Sequence, residues 1–299
     1  MSLTTLAVLF SGVVIGLLLG LTGGGGSILT VPLLVYVVGL EPKVAISTSL
    51  LIVGLASLAA LVPHSRSGNV VWRIGLLFGI AGMVGAYTGG RLAEYFADVV
   101  LLLIFAAVMI GCGTAMVSRR AADAGTAAAM GAGRSRSAVK IVIDGFIVGA
   151  VTGIVGAGGG FLVVPALALL GGLPMHAAVG TSLLVISLKC FAALGGYASH
   201  VPVDLRTAAI VSVLAIVGTL LGSRLSRRVS GEQLQFGFGI FVLVIASVLV
   251  MVEGSALLAA EFGVDRIYAG CGIFIAELFT AVIWASRFAH SRAQLRMSS

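Results

Sequence analysis

The sequence predicts an all-α polytopic membrane protein: two inverted-topology repeats with glycine-broken, re-entrant helices, plus one extra C-terminal helix. Three observations predict it. Of 299 residues, 59% are hydrophobic and 10% charged, and mean hydropathy is +1.18, which suits helices in a bilayer and not a soluble core. The run GLTGGGGSILTVP (Gly20 to Pro32) returns as GIVGAGGGFLVVP (Gly153 to Pro165), 133 residues later. Each run also hands the chain to an apolar segment too short to span. Phe161 to Leu173, thirteen residues, rises about 20 Å as a helix against a hydrocarbon core of roughly 30 Å.

The first apolar run, 3 to 22, carries Gly12, Gly16 and Gly20 at the four-residue spacing that lets membrane helices approach closely. No basic region precedes it and no small-residue cleavage site follows, so it reads as a retained helix and not a signal peptide. The short segment 27 to 40 comes after the first glycine run. Segments 44 to 63, 73 to 92 and 98 to 117 are apolar stretches bounded by polar or turn-forming residues, and they complete a first repeat over 1–117. Residues 118–137, rich in Ala, Gly, Ser and Arg, read as a flexible cytoplasmic linker. The second repeat, 138–252, reproduces the order with segments 138 to 158, 161 to 173, 177 to 197, 205 to 223 and 233 to 252. A last segment, 267 to 286, and a basic tail occupy 253–299.

The offset of 133 holds without a gap from Gly12/Gly145 to Leu92/Leu225, with identities at Gly16/Gly149, Pro32/Pro165, Thr48/Thr181, Ser49/Ser182, Leu50/Leu183, Arg73/Arg206, Gly89/Gly222 and Arg91/Arg224. Each repeat contributes five segments, an odd number, so the two are expected to be inverted. Basic residues give the orientation. With the linker in the cytoplasm, thirteen Lys and Arg fall inside, among them Arg66, Arg224, Arg227 and Arg228, against four outside: Lys43, Arg91, Arg206 and Arg266. The N-terminus is then outside and the C-terminus cytoplasmic, in a multi-pass protein of the cell membrane. The same asymmetry accounts for the net charge of +7 without a nucleic-acid partner.

Inverted repeats with broken helices are an architecture of secondary transporters, with the site where the halves meet at mid-membrane. The helix starts after the glycine runs, at Gly24, Gly25, Gly26 and Ser27 and at Gly158, Gly159 and Gly160, present free N–H groups and the positive dipole end, which suits a small anion. The same glycines also permit a tight turn and close helix approach. Thr48, Ser49, Thr181 and Ser182 could donate to anion oxygens or bond back to their own helices. Lys189, deep in its segment opposite Ala56, is a functional candidate for offsetting an anion's charge; a structural partner or snorkelling are its alternatives. Glu277, central in the last segment, is a candidate for coupling to protons or for pairing with Lys189; a plain helix-packing role is its alternative.

No cofactor is implied. Neither glycine run is followed by Gly-Lys-Ser/Thr, and neither fits a dinucleotide fingerprint. His64, His176, His200 and His290 fall in loops or at segment ends and do not align between repeats, which argues against a metal site. Cys112, Cys190 and Cys271 lie in apolar segments at no ligand spacing. An intramembrane serine protease at Ser182 would need a base facing it, and Lys189 is about 10 Å along the helix, so no catalytic residue is assigned.

The glycine hairpins, Pro32 and Pro165, and the stretches ISTSL (Ile46 to Leu50) and VGTSL (Val179 to Leu183) resemble the sulfite exporter, or TauE/SafE, family, over nearly the whole chain. The resemblance implies export of sulfite, sulfoacetate or a related sulfur-containing anion across the cytoplasmic membrane. Another small anion as cargo, or a channel, are the alternatives. Ser47 aligns with Gly180, and Gly68 with Val201, so the two copies are not identical at the site.

Overall fold

The computed structural model describes residues 3–93, 95, 98–118, 137–155, 160–197 and 201–262. Among these residues every regular element is helical. In the first half, α1 is Leu3–Thr22, α2 is Gly25–Leu33, α3 is Pro42–Arg66, α4 is Trp72–Ala93 and α5 is Asp98–Ser118. In the second, α6 is Ala138–Val155, α7 is Gly160–Pro165, α8 is Met175–Tyr197, α9 is Leu205–Ser226 and α10 is Gly231–Phe262. The offset of 133 pairs α1 with α6, α2 with α7, and so on to α5 with α10. Four stretches are long and apolar enough to cross a membrane: Lys43–Arg66, Met175–Gly195, Leu205–Ser226 and Gly231–Val248. Gly12–Thr22, Ala106–Ser118 and Gly160–Leu170 are shorter apolar helices.

Several boundaries differ from the expectation, and α9, like α3, runs three residues further, from 223 to Ser226. Helix α3 continues past 63 to Arg66, and α10 continues past 252 to Phe262. Both short segments also change winding after their proline. Behind Pro32 the helix loosens into the π-turn Leu34–Val38, and behind Pro165 into Ala166–Leu170. Proline lacks the N–H that would continue the α ladder, and a wider turn lets later N–H groups reach back further. The closures match in the two copies: Leu40 donates to the Leu34 carbonyl at 3.0 Å and Leu173 to the Leu167 carbonyl at 3.1 Å. Gly39, at φ 82°, ends the first of them in the left-handed region that disfavours a side chain.

The halves exchange partners. Helix α1 packs on α9 and α6 packs on α4, while α3 meets α8, α5 meets α10 and α2 meets α7. The register is reciprocal to the residue. A Cβ at Gly16 or Gly20 would collide with the Ala215 or Thr219 carbonyl of α9, and one at Gly149 or Gly153 with the Gly82 or Ala86 carbonyl of α4. Each of these contacts maps onto its partner by the offset of 133. In both pairs the numbers rise together, so α1 runs parallel to α9 and α6 to α4.

Leu19, Ile52, Val53, Ala56, Leu183, Ile186, Val211 and Ala215 make a core where α1, α3, α8 and α9 meet. Phe78, Ile141, Val163, Leu167, Ala178 and Val185 make its counterpart around α4, α6, α7 and α8. Large apolar side chains such as Ile80, Val84, Ile147, Val213 and Val217 stand exposed on the outer helices, as a lipid-facing surface requires.

Candidate functional site

The two glycine hairpins meet where the halves join. A Cβ placed on Gly24 would lie 2.5 Å from the Gly160 carbonyl and 3.0 Å from Phe161 Cα. One placed on Gly160 would lie 2.6 Å from Ser27 Oγ. Gly23 turns the chain at φ 74°, and a Cβ there would meet Ser182 Oγ at 2.6 Å and the Val179 carbonyl at 2.8 Å. The first hairpin thus rests on both α7 and α8 of the second half. A side chain at Gly23 or Gly24 would meet backbone and hold these segments apart, whereas one at Gly160 would displace the Ser27 side chain.

The start of α2 is partly capped. Thr22 Oγ1 accepts from the Gly25 N–H at 2.9 Å and donates to the Leu18 carbonyl at 2.7 Å. Ser27 Oγ donates to the Gly24 carbonyl at 2.7 Å, and its N–H makes only a 3.3 Å contact with the same oxygen. Gly26 packs on Ile15 and Leu19 of α1, and Gly25 beside the Phe241 ring of α10. All four residues Gly23 to Gly26 are buried. Gly158 and Gly159 lie outside the described residues, as does Glu277.

The hydroxyl pairs take cross-half duties. Thr48 Oγ1 accepts from the Asp204 N–H at 3.1 Å, and Thr181 Oγ1 from the Val71 N–H at 3.0 Å. Each threonine thereby anchors the start of the fourth helix of the other half. The mismatched pair Ser47/Gly180 serves one geometry by two means. Ser47 Oγ donates to the Pro202 carbonyl at 2.9 Å, whereas Gly180 lets the matching Asn69 carbonyl pack against its bare Cα. Ser49 Oγ bonds back to the Ile46 carbonyl at 2.7 Å. Ser182 Oγ lies 2.7 Å from the Val179 carbonyl and 2.8 Å from that of Gly23, so its single proton ties α8 to the first hairpin.

Lys189 is half-buried, and its Nζ donates to Thr152 Oγ1 at 3.1 Å; Thr152 in turn donates to the Gly149 carbonyl at 2.9 Å. Thr152 lies one turn before the end of α6, where the chain enters the second glycine run. The ammonium is thus held near the C-terminal end of α6 and bonded to a residue other than Ser182. Three residues that the sequence left unassigned also matter. Thr152 is the Lys189 acceptor. Asp204 caps α9 through the Arg206 and Thr207 N–H groups, a pattern readable as a carboxylate just before an apolar run. His64 sits inside the last turn of α3 at 1% exposure, and among the described residues neither ring nitrogen has a hydrogen bond of acceptable geometry, although the Gly20 backbone is adjacent.

The family model described as sulfite exporter TauE/SafE matches residues 8–249. A probable membrane transporter protein of Xylella fastidiosa (strain 9a5c) is 36% identical over 252 residues, covering 83% of this chain and 96% of its own length. The probable membrane transporter protein MJ0441 of Methanocaldococcus jannaschii is 26% identical over 242 residues, covering 75% of this chain and 87% of its own. YunE of Bacillus subtilis, also named a probable membrane transporter protein, is 30% identical over 212 residues, 63% of this chain and 76% of its own. No solved structure matches. With most of the chain inside the family model, and a relative above 30% identity that it covers almost completely, the chain belongs to the sulfite exporter TauE/SafE family of membrane transporters.

Proposed function

We propose that the protein is a secondary transporter that exports a small sulfur-containing anion, such as sulfite, sulfoacetate or a related organosulfonate, by alternating access around the paired glycine hairpins. The observation that carries this reading is the contact of the two hairpins through Gly24 and Gly160 at the join of the halves. Separating them would expose the N–H groups of two helix starts, with the Lys189 ammonium near the end of α6, which leads to the second. Ser27 beside Gly160 and Ser182 beside Gly23 support this reading, and with Thr48, Ser49 and Thr181 they are its candidate neutral donors to a cargo.

Chain directions support inversion of the halves. Short connections make α2 antiparallel to α1, α3 to α2, and α4 to α3. Since α6 runs parallel to α4, it opposes α1. The arginines at the ends of α3 and α9 then favour the cytoplasm for that face, with the N-terminus outside. An inside-negative potential of 100 mV assists expulsion of a monovalent anion by roughly 2.3 kcal/mol, so coupling to protons is optional, with Glu277 as its candidate.

Thermal melting of the purified protein with sulfite, thiosulfate, sulfoacetate, taurine and chloride tests the reading. A ligand at a hundred times its Kd adds about 2.7 kcal/mol to apparent stability. One sulfur oxyanion should stabilise the wild type and lose that effect in Lys189→Ala. Stabilisation of neither protein by any sulfur anion would remove the assignment.

A further inference from the structure

The ends of α3 and α9 border a half-open cavity of about 330 Å³ lined by Val62, Pro63, Arg66, Leu220, Ser223, Arg224 and Arg227. Its lining carries three arginines, all exposed, and no carboxylate among the described residues. None of the three forms an ion pair among the described residues. Three like charges bordering one concavity repel one another, and an anion between them relieves this. Ser223, 1% exposed, is the only hydroxyl of the wall, with its proton on the Leu220 carbonyl at 3.0 Å.

The pseudo-equivalent end of the molecule is different. The offset of 133 places Ser199 opposite Arg66, Tyr87 opposite Leu220, Gly90 opposite Ser223 and Glu94 opposite Arg227, leaving Arg91 as the only cation of that set. Arg91 lies over the Tyr87 ring, 5.8 Å from its centroid. Repeat symmetry therefore does not explain the basic cavity. It adjoins the transport machinery, because the Ser223 N–H would be met at 2.9 Å by a Cβ on Gly20, three residues before the first hairpin turns at Gly23.

We propose that this cavity is an oxyanion vestibule, which holds a tetrahedral or pyramidal oxyanion among Arg66, Arg224 and Arg227 on the side from which cargo enters. At roughly 30 Å³ per water, the space admits such an anion with part of its hydration. The vestibule rests on the anion-export reading and adds to it a first binding step, distinct from the hairpin site and present at one end only. The same chemistry would also seat the phosphate of an anionic lipid, so the two sources need separate arms.

The test uses the full chain in nanodiscs, wild type against Arg224→Gln/Arg227→Gln, Arg224→Lys/Arg227→Lys and Lys189→Ala. In neutral phosphatidylcholine discs, titration with sulfite, sulfate and phosphate should give binding that weakens steeply with added chloride. The glutamine pair should weaken it at least tenfold, and the lysine pair should restore part of it. In discs containing phosphatidylglycerol, native mass spectrometry reads whether lipid stays bound to the wild type and is lost from the glutamine pair, which would make the occupant a headgroup. If the glutamine pair matches the wild type in both arms, the vestibule is overturned. Loss of anion binding in Lys189→Ala alone would leave the hairpin site standing without the vestibule. Loss in the glutamine pair alone would do the reverse.

Discussion

A single carboxylate starts α9. Asp204 accepts from the Arg206 and Thr207 N–H groups at 3.1 Å each and from Thr207 Oγ1 at 2.6 Å. The Thr207 hydroxyl first, and then these N–H groups, hold its carboxyl below the usual carboxylate range. A depressed folded pKa means stability that is present above the unfolded value of about 3.9 and lost as pH falls through the folded one. Asp204→Ala is thus expected to cost about 0.5–2 kcal/mol at neutral pH, read as a lower melting temperature, and progressively less in acid below about pH 4. A constant deficit down to pH 2 would mean that the cap is not the source. His64 predicts the opposite sign. Its imidazole is buried, and among the described residues neither nitrogen has a hydrogen bond of acceptable geometry, although the Gly20 backbone is adjacent; exchanging an unsatisfied polar group for an apolar one of similar size is close to neutral or stabilising. His64→Leu should melt at or above the wild-type temperature; a clear drop would show a partner that the fold supplies. Asp204 was legible, being a carboxylate three residues before Thr207 at the head of an apolar run. His64 was not, because Pro63 marks a segment end in sequence while the helix continues through it to Arg66 and its burial is a tertiary fact.

Among the helices, the glycines sort by what faces them. A Cβ at Gly149 would strike the Gly82 carbonyl, and backbone cannot yield as a flexible side chain does. At Gly111 nothing lies within 4 Å. Gly149→Ala should therefore destabilise by about 1–3 kcal/mol, while Gly111→Ala should be neutral or gain up to about 1 kcal/mol from helix propensity. Equal melting shifts in the two variants would refute the close α4–α6 contact. The four-residue glycine spacing announced close approach on α1 and α6, and that much was readable. Which helix approaches was not, because spacing carries no information about a partner 199 residues away for Gly16 or 67 for Gly149. The π-turns after Pro32 and Pro165 were equally hidden: sequence shows that proline removes a donor, but not whether the ladder breaks or widens.

For the molecule as a whole, exchange of partners decides which parts can move together. Helix α1 is locked to α9 by glycine-carbonyl contacts, and Ser47 and Thr48 tie α3 to the same helix. Likewise α6 and α4 are locked, and Thr181 ties α8 to α4. Sliding within either trio would drive carbonyls into bare Cα positions, so the trios are expected to move as units, each drawn from both halves of the sequence. The seam between them runs through the hairpin contact and the packing of Gly54 on Cys190 and Phe191. Two disulfides separate these possibilities in a chain otherwise freed of Cys112, Cys190 and Cys271. A Cβ on Gly12 lies 3.0 Å from Leu214 Cβ, and one on Gly160 lies 3.3 Å from Ser27 Cβ, each within about half an ångström of disulfide range. Oxidised Gly12→Cys/Leu214→Cys should keep the flux of whichever anion stabilises the wild type, because it joins helices that already move together. Oxidised Ser27→Cys/Gly160→Cys should stop it, and reductant should restore it. If the hairpin disulfide leaves flux intact while mass spectrometry shows it formed, the hairpins do not part during transport, and cargo must pass elsewhere along the α3–α8 seam.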